Sequence, residues 1–312
     1  MQVLNSIKEL TKNKNTILTL GTFDGIHPGH LKIIDKLVRC SKAKGCRNVV
    51  LTFYPHPRTV LGNDSSVKML TTQSEKIKLL EKHGVENLLI INFTKEFASL
   101  SAEDFIYDYL INGIGLSEIV LGHDHHFGKG RKGNVELLKQ IGAKEDFIVT
   151  AAEPYLIDGE VVSSTKIRNA IAEGNIAKAN KLLGRNYEFS GGVVGGDKRG
   201  RELGFPTANI KLTSQEKLLP ASGIYAVKVD VENEKHFGLL SIGKRPTFYN
   251  EGELVTEVYI FDFNREIYGV TVTVELVERL RGEEKFSSAE ELINQMNKDE
   301  KNGRKIFNKL NN

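Results

Sequence analysis

Residues 21–30 read Gly-Thr-Phe-Asp-Gly-Ile-His-Pro-Gly-His and follow an apolar run at 17–20. A strand that ends in a glycine-rich turn and then opens a helix is suited to phosphate. The first turn of the helix offers unpaired N–H groups and the positive end of a dipole. Glycine lets a phosphate approach the backbone, and His27 and His30 can add donors to the same oxygens. Attack on the α-phosphorus of a nucleoside triphosphate fits this equipment. The attacking oxygen comes from a second substrate, so the protein has only to position groups and neutralise charge. Helix capping alone is the plainer reading of the two histidines. A second stretch, 163–168, sets Ser163, Ser164 and Thr165 before Lys166 and Arg168. Hydroxyls and cations at a helix start again suit phosphate oxygens.

The second half holds a different set. The run 196–201 combines Gly196 and Gly200 with Asp197, Lys198, Arg199 and Arg201, a flexible backbone with cations that can cradle phosphate. It is not a P-loop, because the Gly-Lys-Ser/Thr ending is absent. Thr207 and Asn209 are two apart. On an extended segment both side chains fall on one face, where their oxygens can meet one Mg²⁺; a turn leading into a strand is the alternative. In 255–263, Glu257 shares alternate positions with Val255, Tyr259, Phe261 and Phe263. An acid on an apolar, aromatic face is costly to bury without a task. General-base work on a hydroxyl nucleophile would supply one, and a wet strand end would remove the cost.

Both sets need elements to hold them. Strand candidates at 17–20, 49–53, 87–93, 118–121 and 147–151 alternate with helical patterns at 31–44, 76–83, from 101 onward and at 134–141. Such alternation implies right-handed crossovers and a parallel sheet, with ligands at the carboxyl ends of the strands. Two helices follow at 165–173 and 176–183. After Gly184 come β-type runs at 224–231, 237–242, 255–263 and 270–277 without intervening helices, which reads as an antiparallel barrel or sandwich. Ser287 and Glu290 have capping-box spacing before a terminal helix. The expected domains are 1–184 and 185–312.

Composition excludes little else. The 312 residues carry a net charge of +3, too little for a concentrated nucleic-acid-binding face. No apolar run approaches a membrane span, and the polar N-terminus lacks the core of a signal peptide. Cys40 and Cys46 read as reduced thiols of a cytoplasmic protein. His123, His125 and His126 cluster in the sequence, but no convergent cysteine or carboxylate pattern marks a metal site there.

The order of four stretches, 21–30, 53–57, 121–128 and 163–168, resembles the adenylyltransferase module of the prokaryotic bifunctional riboflavin kinase/FAD synthetases. The stretches 200–209, 243–248, 257–263 and Tyr268-Gly269 resemble the riboflavin kinase module of the same family. The resemblance implies a Rossmann-like α/β nucleotidyltransferase domain with a parallel sheet. It implies next a small antiparallel β-barrel with a terminal helix. The implied substrates are ATP, riboflavin and FMN, with Mg²⁺ as cofactor. The first domain would bind ATP through Gly21, Phe23, Asp24, His27, His30, Asp124, Ser164, Thr165 and Arg168. The second would bind it through Gly196, Lys198, Gly200, Thr207 and Asn209. Thr207 and Asn209 would hold the metal, and Glu257 would activate the ribityl hydroxyl. The partners implied are small molecules, not nucleic acid or membrane, and the chain would be a monomer or weak homo-oligomer. Two departures stand out. His125 and His126 replace the Phe-Arg pair that many members carry, and Ser241 replaces an asparagine.

Overall fold

In the computed structural model, residues 1–62, 67–196, 200, 203–244 and 254–310 are described. Chain contacts divide the molecule into two units, Met1–Ser164 and Thr165–Asn312.

The first unit is built on a six-stranded sheet. Its strands are β1 (Gln2–Leu4), β2 (Thr16–Leu20), β3 (Arg47–Tyr54), β4 (Asn87–Asn92), β5 (Glu118–Gly122) and β6 (Ile148–Ala152). Their order is β1-β4-β3-β2-β5-β6 and every pairing is parallel. The central strands are apolar on both faces because helices cover both. Leu18, Leu51 and Leu121 enter one core cluster with Phe105, Leu110 and Leu138. Ile17, Val50 and Val120 enter the other with Ile34, Leu37 and Leu80. The helices that matter for the site are α1 (Pro28–Lys44), α2 (Gln73–Lys82) and α3 (Val135–Glu145). Gly45 ends α1 in the left-handed region, φ 64°, as a C-terminal glycine does. Thr72 and Glu75 form a reciprocal capping box at the start of α2. Chain order reverses around β2: β3 follows on one side and β5 lies on the other. The carboxyl end of β2 is therefore the switch point of the sheet.

The expected parallel sheet is present, with additions. β1 and the hairpin β7 (Leu156–Ile157) with β8 (Glu160–Val161) are too short for periodicity to reveal.

The second unit begins with α4 (Ser164–Ala172, from Thr165 on) and α5 (Ile176–Leu183). Asn180 on α5 accepts the Tyr187 N–H at 2.8 Å and donates to the Leu276 carbonyl at 2.9 Å, joining the helix to the strands. Of the two architectures left open by the pattern, the barrel is the one formed. β9 (Tyr187–Val194), β10 (Thr207–Leu212), β11 (Gly223–Val231), β12 (Glu234–Lys244), β13 (Leu254–Ile260) and β14 (Thr271–Arg281) close in the order β10-β13-β12-β11-β14-β9. β9 escapes a reading by propensity because Gly191 and Gly192 interrupt it. A Cβ at Gly191 would collide with Ile210 and the Lys211 carbonyl of β10, so the glycine permits the close approach that shuts the barrel. The terminal helix α6 (Ala289–Leu310) covers part of the outer surface through Phe307, which packs with Ala226, Leu239 and Phe261. Its cap corrects the expected one by a residue. The Glu291 N–H donates to Ser288 Oγ at 3.2 Å, and the Glu291 carboxylate accepts the Ser287 N–H and hydroxyl.

Candidate active sites

The turn between β2 and α1 is strained and heavily braced. Phe23, Gly25 and Ile26 have φ of 46°, 88° and 38°, the left-handed region that a β-branched residue such as Ile26 rarely enters. Asp24 is buried and points inward. Its carboxylate accepts the Leu70 N–H at 3.1 Å, the Thr71 N–H at 3.0 Å and the Thr71 hydroxyl at 3.2 Å. The Gly25 N–H donates to Thr71 Oγ at 3.1 Å. Ser164, the first residue of α4, donates its hydroxyl to the Asp24 carbonyl at 2.9 Å. Asp24 thus holds the shape of the turn.

His27 is the N-cap of α1, and its Nδ1 accepts the His30 N–H at 3.4 Å. Pro28 at the first helical position has no N–H to leave orphaned. The His27 and His30 rings are stacked with centroids 3.7 Å apart and planes 19° apart. Phe23 meets His30 edge-on at 5.3 Å. A Cβ on Gly29 would lie 3.1 Å from the His27 ring, so this glycine admits the imidazole over the helix start. The arrangement puts two imidazoles at a helix N-terminus on the switch point of a parallel sheet, which is equipment for phosphate oxygens.

The loop after β5 carries Asp124, whose side chain is exposed and lies 3.8 Å from His123 Nδ1. His125 differs from its neighbours. Its ring lies against Phe127, a member of the core, with centroids 6.1 Å apart. Its Nε2 is buried with no hydrogen-bond partner among the described residues, and burial pushes its pKa down to about 4. His126 is turned outward, with Nδ1 3.2 Å from the Arg131 carbonyl. Thr165 is exposed and Arg168 half-buried on α4; both belong to the second unit.

In the barrel the three strand-borne candidates, Thr207, Asn209 and Glu257, come together. Asn209 on β10 is the direct partner of Glu257 on β13, and Ser241 on β12 is the partner of Glu257 on its other side. The Thr207 hydroxyl donates to the Glu257 carboxylate at 3.4 Å. The pairing is locked by the Thr256 hydroxyl, buried and 2.6 Å from the Ile210 carbonyl. Thr256, Val258 and Ile260 are buried, while Val255, Glu257 and Tyr259 are half-buried on the other face. Phe261 continues that face and packs under α6. Phe263 leaves it, because Asp262 turns the chain with φ 55°. Glu257 therefore avoids the full cost of burial while keeping an aromatic neighbourhood.

Gly196 and Gly200 lie directly against these side chains. A Cβ on Gly196 would collide with Asn209 Nδ2, and one on Gly200 would collide with the Phe205 carbonyl and lie 3.1 Å from Thr207 Oγ. Lys198 lies outside the described residues. A concave site missed from sequence opens beside Thr207, lined among others by Pro206, Ile260, Phe263, Arg265 and Tyr268. Its outer wall comes from the turn between β13 and β14, where Asp262 and Gly269 at positive φ were the available signal.

Known proteins match both halves. The FAD synthetase family model matches residues 9–166, and the riboflavin kinase family model matches residues 183–307. A bifunctional riboflavin kinase/FMN adenylyltransferase of Listeria monocytogenes is 41% identical over 95% of this chain and 94% of its own. One from Bacillus subtilis is 38% identical over 97% of this chain and 96% of its own. A crystal structure from Streptococcus pneumoniae, described as a macrolide-efflux protein, aligns with a TM-score of 0.89 at 35% identity, covering 97% of this chain and 98% of that one. With both family models matched in order and relatives this similar over nearly its full length, the chain belongs to the bifunctional riboflavin kinase/FMN adenylyltransferase family.

Proposed function

We propose that the chain runs two consecutive ATP-dependent steps at the two sites described. It phosphorylates riboflavin to FMN in the barrel and adenylylates FMN to FAD at the turn between β2 and α1, with release of pyrophosphate. Both activities follow from the family; the residues given roles below are our assignment. We put the functional division at 184/185, supported by the left-handed Gly184 cap that ends α5.

The observation that carries the kinase assignment is the register of β10 on β13, which sets Asn209 opposite Glu257 with Thr207 at 3.4 Å. Glu257 takes the proton of the ribityl 5′-hydroxyl as that oxygen attacks the γ-phosphorus of ATP, and the bond to ADP breaks. Thr207 orients the carboxylate. Thr207 Oγ and Asn209 Oδ are hard oxygen donors on one strand face, a set that would hold Mg²⁺. When bound, the ion neutralises phosphate charge. Gly196 and Gly200, with Lys198, bring backbone and charge to the phosphates.

In the second step a phosphate oxygen of FMN attacks the α-phosphorus of ATP, and the bond to pyrophosphate breaks. His27 and His30 stabilise the charge on the phosphate oxygens from the start of α1. Gly21 and Phe23 shape the turn, and Asp24 braces it. Asp124 borders the nucleotide, and Ser164, Thr165 and Arg168 complete the triphosphate contacts.

Partners are then small molecules acting on a monomer or weak homo-oligomer. The unbridged thiols of Cys40 and Cys46 support a cytoplasmic setting. The efflux description of the S. pneumoniae protein is not carried over, since both family models and the curated relatives are those of riboflavin kinase and FAD synthetase. The test is incubation with riboflavin, ATP and Mg²⁺ followed by separation of the flavins. FAD supports both steps, FMN alone removes the second, and unchanged riboflavin removes the first.

A further inference from the structure

Residues 22–26 cannot hold their own conformation, because three of them sit at positive φ, and each such non-glycine residue costs on the order of 1–3 kcal/mol. Most of the braces come from the segment 70–76. Leu70 and Thr71 grip Asp24 and Gly25. One turn further on, Lys76 of α2 sends its Nζ to the Thr22 carbonyl at 2.7 Å. That carbonyl also accepts the Thr52 hydroxyl of β3 at 3.3 Å. Lys76 is only 7% exposed, an unusual place for an ammonium group.

We propose that Lys76 is a positioning residue for adenylyl transfer, holding the Thr22–Phe23 peptide in the orientation that the phosphate site requires. In a trans peptide the C=O and N–H point in opposite directions. Fixing the Thr22 oxygen toward Lys76 and Thr52 directs the Phe23 N–H away from them. A flipped peptide would instead turn a carbonyl oxygen to the side that must receive an anion. This inference rests on the turn being the adenylyl-transfer site.

The bond is charge-assisted, and such bonds are roughly twice as strong as neutral ones. Burial pushes the Lys76 pKa down to about 8, and the facing Asp24 carboxylate opposes the drop. Glu75, its neighbour on α2, is turned back onto the Thr72 N–H in the capping box. As pH rises through about 8, Lys76 loses its charge and the brace weakens.

The test uses the full chain, with FMN adenylylation and riboflavin phosphorylation assayed separately from pH 6.5 to 9.5. The expected result is an alkaline limb near pH 8 in kcat for adenylylation that the kinase step lacks. Lys76→Met should lower that kcat about tenfold at pH 7 and flatten the limb. A wild-type rate in Lys76→Met, or a lowered rate with the limb intact, overturns the proposal. Hydrogen exchange of a peptide covering 21–27, without substrates at pH 7, gives a second readout. Faster exchange in Lys76→Met supports the positioning role even if the wild type makes no FAD, a result that would remove only the site's assignment. Unchanged exchange overturns the role.

Discussion

The His27 and His30 rings stack at 3.7 Å over the first turn of α1, so each imidazole restricts the other's orientation. His27 also caps the helix through the His30 N–H, which makes it part structural. His30 brings its ring to the same stack without being the N-cap residue. His30→Ala is therefore expected to lower FAD formation on the order of 10²-fold while FMN formation stays near the wild-type rate. Equal loss in both assays would refute the assignment of separate sites.

Glu257→Gln keeps the size of the side chain and can still meet Thr207 and Asn209, but it cannot take a proton. Riboflavin phosphorylation should fall by roughly 10²–10⁴, with adenylylation of supplied FMN unaffected. A full kinase rate would remove Glu257 from the mechanism.

The glycine over Asn209 gives a sterically defined test. In Gly196→Ala the new methyl has no room beside Asn209 Nδ2, so the segment must lift or Asn209 must rotate. Misplacement of about 1 Å can cost 10²-fold in rate, so we expect the kinase kcat/KM for ATP to drop at least tenfold. Gly192→Ala, where a Cβ meets nothing within 4 Å, is the control and should leave the rate within about twofold, since it touches no feature that makes mutations costly.

Asp24→Asn should act on stability. The carboxylate accepts three donors from Leu70 and Thr71, and an amide NH₂ set against an N–H donor leaves a buried group unsatisfied. The cost is about 1–3 kcal/mol, read as a lower urea midpoint for the first unit. An unchanged midpoint would mean that the turn is held by its other bonds.

His125 predicts a pH dependence. Burial sets its folded pKa at about 4, below the ordinary histidine value of 6.5. Between these values the unfolded chain binds a proton that the folded chain refuses, so stability is fully present above pH 6.5 and lost as pH falls toward 4. His125→Phe should flatten the denaturation midpoint across that window. A variant with the wild-type slope would assign the acid sensitivity elsewhere.

The parallel sheet was legible in the sequence because buried parallel strands leave long apolar runs, and the turn after β2 because its residue types are unusual together. The row of Val255, Glu257, Tyr259 and Phe261 followed from a period of two. β9 was hidden by Gly191 and Gly192; the reason for Gly191 is a neighbouring strand about 20 residues away, and propensity carries no such information. The role of Asp24 was hidden likewise. An acid in such a glycine-rich turn reads as ligand chemistry, yet its carboxylate accepts the N–H groups of Leu70 and Thr71 and the Thr71 hydroxyl. The wall formed by Phe263, Arg265 and Tyr268 was missed because loops have no period.

The brace around residues 22–26 bears on transplantation. The decapeptide that marks this chain is not a portable module. Its shape is set from Thr52, Leu70, Thr71, Lys76 and Ser164, which span more than 100 positions of chain. Grafted alone into another scaffold, the ten residues would relax out of the left-handed region and lose the shape proposed to receive phosphate. A graft that works must carry the neighbours along.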